Sequence, residues 1–481
     1  MAYSTNIEPT HPPTTSSSTS RPSTEDDVPV IIVGAGIVGL VLALALHQHL
    51  GITPVLYEQC SQFQPVGAGM SVYPNGLRVL RDLGLLPTVQ NAGFPYQTRQ
   101  WERHDGSVIM TAQEDVLGRN ENDTTPLRTV GIKRWKLQII LLSAVQSKGI
   151  PIHFGKAIQE VRETKSSSGT VTVRLSDGTH RTAALVLAAD GTKSVVRKYV
   201  TEMELHNHPL KHAGTTTLMG LASIPRNDDR ISIVTSLTSQ CHAVFFPVSP
   251  TEQCFQFHFP MKDTSDGDDS WSTMTKTIEH EHCQELAQRL TQDGWDEQYI
   301  RPLRSVSQAI QIHSCLLDQK LETWVRGNVV LLGDAAHPPV PFIGQGAQQG
   351  LEDAGTLALL LRALCCSTRG KLDVQNLSQA LKLYEQIRIP RANELLDLSQ
   401  LTGDQRRKRS QSARYAEVRE EIIQRQVFFH ETSPNMLPGA THDYRKAVEK
   451  VLKALPQRMP ILIEDDEDEE EASSKNGNCT C

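Results

Sequence analysis

The feature that most restricts the fold is Gly34-Ala35-Gly36-Ile37-Val38-Gly39. It sits between an apolar β-branched run, Val28 to Val33, and a helical stretch, Val41 to Leu50. A buried strand that turns on glycine and feeds directly into a helix is the first half of a βαβ dinucleotide-binding unit. In such a turn Gly34 permits the tight bend, Gly36 lets the backbone approach a pyrophosphate, and Gly39 lets helix and strand pack closely. The helix N-terminus then offers free N–H groups and partial positive charge to the phosphates. A second strand, Thr53 to Tyr57, ends at Glu58. A carboxylate at that point accepts hydrogen bonds from a ribose diol and repels a 2′-phosphate. The bland alternative is a glycine-rich strand–helix turn with Glu58 simply exposed.

Further along, the pattern changes period. From Ile152 to Ala189 it reads as strands, with Val171, Val173 and Leu175 alternating with polar residues and Asp177-Gly178 supplying a hairpin turn. Leu185 to Ala189 is continuously apolar, as in a strand buried on both faces, and stops at Asp190-Gly191. Strands are expected again from about Thr215 to Lys262, including Ala243 to Val248 and Cys254 to Phe259, and helix from Thr273 to Gln292. Asn328 to Leu332 is another buried strand, ending at Gly333-Asp334. A loop rich in Pro and Gly follows, then a helix from about Ala347 to Cys365 and mostly helical sequence to Ala454.

The expected fold class is therefore α/β. A Rossmann-like domain is built from discontinuous segments, 28–84, 129–200 and 321–400, and a sheet-rich substrate domain, 85–128 with 201–320, is inserted into it. A C-terminal helical segment, 401–456, completes it. Residues 1–27, rich in Ser, Thr and Pro with no apolar h-region, read as a disordered leader, and 457–481 as a solvated acidic tail.

Three further motifs carry a family resemblance. Asn328-Val-Val-Leu-Leu-Gly-Asp-Ala-Ala-His-Pro-Pro-Val-Pro-Phe-Ile-Gly-Gln-Gly-Ala-Gln-Gln-Gly-Leu-Glu-Asp-Ala354 resembles the GD signature of the single-component (class A) flavoprotein aromatic hydroxylases. Leu185-Val-Leu-Ala-Ala-Asp-Gly-Thr-Lys-Ser-Val-Val-Arg197 is similar to the DG signature of that family. Arg134-Trp-Lys-Leu137-Gln-Ile-Ile-Leu141 is similar to its R-x-x-L-x-x-x-L helix. With the glycine loop these are four motifs in the family's order, and the resemblance covers roughly Pro29 to Arg391.

The resemblance implies bound FAD, with Asp334 at the ribitol chain and Arg134 near the phosphates. Asp190 and Gly191 would brace the fold and assist a transient NADH or NADPH. Gly67-Ala68-Gly69 would form a loop close to the flavin, so Gly69 counts as a candidate cofactor contact. It also implies a monooxygenase in which NAD(P)H reduces FAD, O2 forms a flavin C4a-hydroperoxide, and an electron-rich ring or double bond is hydroxylated or epoxidised. Physical reasoning agrees for two positions. Asp334 ends a buried strand, where α/β sheets place ligands. The Gly344-Gln-Gly346-Ala347 turn opens a helix whose positive end suits a negatively charged flavin edge. Taken alone, Asp334 also reads as a helix cap, Asp190-Gly191 as an ordinary turn, and Arg134 as one half of a surface ion pair.

Substrate residues are less marked. His242, Phe246 and Pro339 are candidates, with ordinary sheet packing as the alternative for the first two. Leu218-Met-Gly-Leu-Ala-Ser-Ile-Pro225 lacks the arginine that several phenol hydroxylases of the family carry on the matching strand. No protein general base is assigned; His337 reads as a loop residue. Arg406-Arg407-Lys408-Arg409 reads as a solvated loop. No second G-x-G-x-x-G follows an apolar strand, which disfavours enzymes with a separate NADPH domain. Two other readings stay open: a flavin reductase of isoprenoid-type double bonds, and a non-catalytic flavin-binding redox sensor.

The net charge of −7 points to no nucleic-acid partner. The longest apolar run, Ile37 to Leu46, falls short of the about 20 residues that span a bilayer. Nine cysteines without C-x-x-C spacing, and His280-Glu-His282 without i, i+4 spacing, signal no metal. Scattered cysteines fit a reducing, cytoplasmic setting. The expected partners are a small-molecule substrate and O2.

Overall fold

The computed structural model describes residues 27–63, 68–113, 127–163, 169–202, 210–225, 228–236, 241–260, 275–277, 280–366, 372–408 and 439–455. Residues 1–26 of the expected leader, the acidic tail, Gly67 and Arg409 lie outside them; Asp27, placed in the leader from sequence, is the first residue of a strand.

The fold is α/β, with two main sheets and helices. The first sheet has a parallel centre. Its strand order is Val329–Leu331, His180–Ala188, Asp27–Val33, Val55–Glu58, Ile152–Phe154. The parallel segments that pair here are separated in sequence, because a parallel neighbour is reached only by a crossover connection. The strands at its heart are the continuous apolar runs, fully buried on both faces. Helix Ile37–Leu50 starts earlier than hydrophobicity alone suggested, with Gly36 as its N-cap, so it opens inside the glycine loop itself. It buries ten of its residues in the core shared with helices Arg134–Ser147 and Gly346–Cys365. The Asp177-Gly178 hairpin forms, with Gly178 at φ 82°.

The second sheet is mostly antiparallel. Its order is Thr275–Thr277, Val306–Leu317, Leu210–Ala222, Glu252–Pro260, His242–Ser249, Arg230–Thr235, Thr98–Arg103, Val108–Gln113. Thr275–Thr277 was expected to be helical; it pairs with Ile310 to Ile312, and the helix begins only at His280. β-branched Thr on both sides of Lys276 suits an edge strand better than a helix start.

A small third sheet joins the two: Gly69–Val72, Thr129–Lys133 and Phe94–Tyr96. Helix Leu86–Ala92 places Val89 in the first core, so the chain passes to the second sheet only after Tyr96. Helix Leu377–Lys408 runs unbroken past residue 400, with the backbone of Arg406 to Lys408 helical.

Beneath helix Gly346–Cys365 lies a buried ionic cluster. Arg388 donates through Nε to Asp353 Oδ1 (2.7 Å) and through Nη1 to Glu352 Oε2 (2.5 Å); Arg391 donates to both Glu352 oxygens (3.1 and 3.0 Å). Asn75 Nδ2 donates to Glu352 Oε1 at 2.7 Å. Two carboxylates and two guanidiniums balance. This attraction outweighs the desolvation that opposes it, so Glu352 stays well below the usual carboxylate range and Arg388 is held above its ordinary value.

His442 lies 3.7 Å from Glu352 Oε2, and burial pushes its imidazole down to about 4. A histidine whose folded pKa is depressed contributes stability fully present above its unfolded value near 6.5 and lost as pH falls toward 4. The stability of the wild type relative to His442→Asn should therefore fall between pH 7 and pH 4.5. Paired denaturant curves read this; a pH-independent difference would show that His442 is not buried neutral.

Candidate cofactor and substrate site

Strands Asp27–Val33, His180–Ala188 and Val329–Leu331 are parallel neighbours, so the turns after them meet at one edge of the sheet. Those turns hold Gly34 to Gly39, Asp190 and Asp334. In the first, Gly34 has φ +92°, and a Cβ there would stand 2.6 Å from the Ala189 carbonyl oxygen. A Cβ on Gly39 would stand 2.0 Å from the Gly34 oxygen. Both glycines are demanded by the protein's own packing. Gly36 differs: nothing lies within 4 Å of its would-be Cβ. Its backbone is bare toward open space, as close approach by a ligand requires.

Glu58 is buried, not simply exposed. Its Oε2 accepts the Ala35 N–H at 2.8 Å and its Oε1 accepts the Cys60 N–H at 2.9 Å. The carboxylate is thus fixed to the glycine loop, and each oxygen keeps a second lone pair for another donor.

Asp190 Oδ2 accepts from the Val195 and Val196 N–H groups at 2.9 and 3.4 Å, capping helix Val196–Thr201. Its Oδ1 is buried and takes no hydrogen bond among the described residues, and burial raises the carboxyl pKa. Asp334 Oδ2 accepts from Thr192 Oγ1 at 3.4 Å. Burial raises its pKa too, against the pull of His337, Arg134, Thr192 and Arg197. Arg134 starts helix Arg134–Ser147, and its N–H donates to the Ala68 carbonyl at 3.2 Å. Its side chain is open to solvent yet walled by protein: desolvation lowers the guanidinium pKa more than nearby Asp334 raises it. Arg134 and Asp334 are thus brought close enough to act on each other electrostatically.

Gly346 and Ala347 form the first turn of helix Gly346–Cys365 and remain half-buried. A Cβ on Gly346 would stand 3.0 Å from Pro339 Cγ, so those two candidates touch. Gly69 lies elsewhere in the seam: its Cβ would meet Val248 Cγ1 at 2.7 Å and Cys254 Cβ at 2.8 Å. It presses the small third sheet against the second.

Cross-strand pairing defines which side of the second sheet looks this way. Three rows share one face: Thr217–His258–His242, Met219–Gln256–Val244 and Leu221–Cys254–Phe246. The last row packs on the third sheet, where a Cβ on Gly131 would lie 3.2 Å from Phe246 Cδ2 and 2.0 Å from the Pro247 oxygen. Phe246 is therefore a packing anchor beside Tyr96 (6.5 Å between rings). His242 is buried and stacks on His258 at 5.6 Å. The opposite face, with Leu218, Ala243, Phe245, Phe255 and Phe257, is sealed by helices His280–Gln292 and Glu297–Arg304.

Sequence reasoning missed three residues. Arg197, last in the DG signature, donates to the carbonyls of Ala335 (2.7 Å), Thr192 (2.9 Å) and Asp334 (2.9 Å), tying two of the site turns together. Asp353 Oδ2 accepts the Gly333 N–H at 2.7 Å. His337 is no plain loop residue: it is buried, 2.7 Å from the same Asp353 oxygen, with its ring 4.8 Å from Trp324. A conspicuous Arg or His in a motif was the only hint available. Arg197→Met should cost about 2–3 kcal/mol by leaving buried carbonyls unpaired. An unchanged denaturant midpoint would refute that tie.

A profile of the FAD binding domain family matches residues 27–399. The 3-amino-4-hydroxybenzoate 2-monooxygenase PtmB3 of Streptomyces platensis is 29% identical over 377 residues, covering 76% of this chain and 85% of that protein. The FAD-dependent urate hydroxylase of Mycolicibacterium vanbaalenii is 29% identical over 375 residues, 76% of this chain and 86% of its own. Among solved structures, Klebsiella pneumoniae HpxO complexed with FAD and uric acid superposes with a TM-score of 0.69 at 22% identity, covering 88% of this chain and 97% of that one. That last likeness is one of fold. No helix among the described residues is long and apolar enough to cross a membrane. The chain belongs to the FAD binding domain family, among its FAD-dependent monooxygenases and hydroxylases, and is an FAD-dependent oxidoreductase.

Proposed function

We propose that this chain is a monooxygenase that takes electrons from NADH or NADPH and oxygen from O2 to hydroxylate or epoxidise an electron-rich small molecule. The observation that carries this reading is the facing of two surfaces. A sheet edge bearing Asp190, Asp334 and the bare Gly36 opens beside a second sheet whose inward rows are largely apolar. The relatives named as a hydroxybenzoate 2-monooxygenase and a urate hydroxylase support a ring-bearing substrate.

Bound FAD would supply the redox chemistry, passing electrons from the nicotinamide to O2 and one oxygen atom to the substrate. The chain's own part is to bind, orient and keep water out. Gly36 and the N-terminus of helix Ile37–Leu50 would hold the pyrophosphate, and Glu58, fixed by Ala35 and Cys60, the adenosine ribose. Asp334 would take the ribitol hydroxyls, with Arg134 supplying positive charge beside it. The buried Asp190 Oδ1, without a partner among the described residues, suits a hydroxyl donor. The half-buried N–H groups of Gly346 and Ala347 would meet negative charge at the flavin's carbonyl edge. The apolar rows of the second sheet would exclude water.

Asp334→Ala and Glu58→Ala should each weaken FAD retention by about tenfold or more, since each loses a charge-assisted hydrogen bond of about 1.5–3 kcal/mol. Flavin content after gel filtration measures it, and full occupancy in both variants would reject these assignments. The protein should also consume NAD(P)H and O2 faster with its substrate, and 18O2 should label the product. An unlabelled product would point instead to a reductase of double bonds, and no stimulated turnover across a broad panel to a binding role.

A further inference from the structure

The turn that opens helix Gly346–Cys365 has two sides. Gly344, Gly346 and Ala347 keep exposed surface, while Gln345, Gln348 and Gln349 are buried. Behind the buried side stands the start of helix Pro74–Asp82. Asn75, wholly buried there, donates through Nδ2 to Gln345 Oε1 at 2.9 Å and to Glu352 Oε1 at 2.7 Å. Gln348 Nε2 donates to the Ser71 carbonyl at 2.8 Å and to the Gly344 carbonyl at 3.1 Å. The fit is close: a Cβ on Gly76 would stand 2.6 Å from Gln348 Oε1, and one on Gly344 2.6 Å from the Tyr73 hydroxyl oxygen. Two consecutive peptide groups are therefore gripped from behind. Gln348 holds the oxygen of the one joining Gly344 to Gln345. Asn75 holds the side chain of Gln345, the residue that begins the next, and that next peptide bears the Gly346 N–H.

Resting on the assignment of the flavin's carbonyl edge to Gly346 and Ala347, we propose that Asn75 is a positioning residue. Acting through Gln345, it aims those N–H groups and so raises the reduction potential of bound FAD. The first N–H groups of a helix have no partner within it, so their direction is set by whatever fixes the turn. Hydride from the nicotinamide brings two electrons and one proton, so reduced flavin carries a negative charge that the oxidised form lacks. N–H groups fixed in advance stabilise the charged form more than the neutral one, and they need no reorganisation when it appears. The grip is also electrically neutral. Glu352 is negative, but Arg388 and Arg391 pair with it, and Asn75 carries the tie from there to the turn as an amide. A carboxylate at position 75 or 345 would set negative charge behind the helix end that has to meet negative charge. Without Asn75, Gln345 Oε1 would keep only Gln349 Nε2, 3.4 Å away.

The test measures the midpoint potential of FAD in the loaded protein, anaerobically against a reference dye. Asn75→Leu should keep its flavin but bind the reduced form about tenfold less tightly relative to the oxidised form, a fall of about 30 mV for a two-electron couple. Gln345→Met should give the same fall, and the double variant little more than either, because both break one tie. Phe245→Leu, in the core under the outer helices, serves as the control: it should lower the denaturant midpoint and leave the potential where it was. Flavin-loaded Asn75→Leu with an unshifted potential overturns the proposal. So does an equal fall in Phe245→Leu, or a double variant whose shift is the sum of the two. If Asn75→Leu fails to fold, Gln345→Met decides on the same reading. Wild type without bound flavin removes the cofactor-site reading and this inference with it, whereas bound flavin with unshifted potentials removes this inference alone.

Discussion

The site depends on a bond that does not touch it: the fork of Arg388 into Glu352 and Asp353. Asp353 holds the Gly333 N–H and His337 with one oxygen and Arg388 with the other. Glu352 holds Asn75, Arg388 and Arg391. The turn bearing Asp334 and the helix opening at Gly346 are therefore clamped to one pair of carboxylates. Breaking such a buried pair leaves an uncompensated charge and costs about 3–5 kcal/mol, so the helix cannot rotate without the whole cluster failing. The arrangement makes sense for a helix whose first turn must present bare N–H groups: the rigidity is supplied two turns deeper, where no ligand competes for it.

Much of the first sheet was legible because parallel strands buried on both faces leave a plain mark. Val28 to Val33, Leu185 to Ala189 and Asn328 to Leu332 are apolar runs that stop at Gly, Asp-Gly and Gly-Asp, and all three lie in the centre of the first sheet. The glycines were legible as a motif but not in their separate duties. Only coordinates divide Gly34 and Gly39, which satisfy packing, from Gly36, which faces open space. His337 could not be read at all, since its partner Asp353 lies sixteen residues on and its ring partner Trp324 thirteen residues back, both fixed by tertiary packing.

The second sheet was harder for a physical reason. An antiparallel strand alternates its side chains, but apolar residues of this sheet are buried on both faces, one under helices and one against the small third sheet. Alternation then no longer separates buried from exposed, and Phe246 and Phe245 look alike until the register is known. The expectation of helix failed at Thr275 to Thr277 for a related reason: an edge strand of that length is too short to show any period.

That double coverage also limits where substrate choice can reside. The outward face, Phe245, Phe255 and Phe257, is packed under two helices, and enlarging or shrinking it disturbs a core. The inward row Leu221–Cys254–Phe246 is seated on Gly69 and Gly131, where a single added carbon meets backbone. Two rows remain, Met219–Gln256–Val244 and Thr217–His258–His242. Met219 and Val244 of the first row also pack against the cluster at the third sheet, so a change there trades the shape of the wall against that interface, whereas the Thr217 row lies outside that hydrophobic cluster.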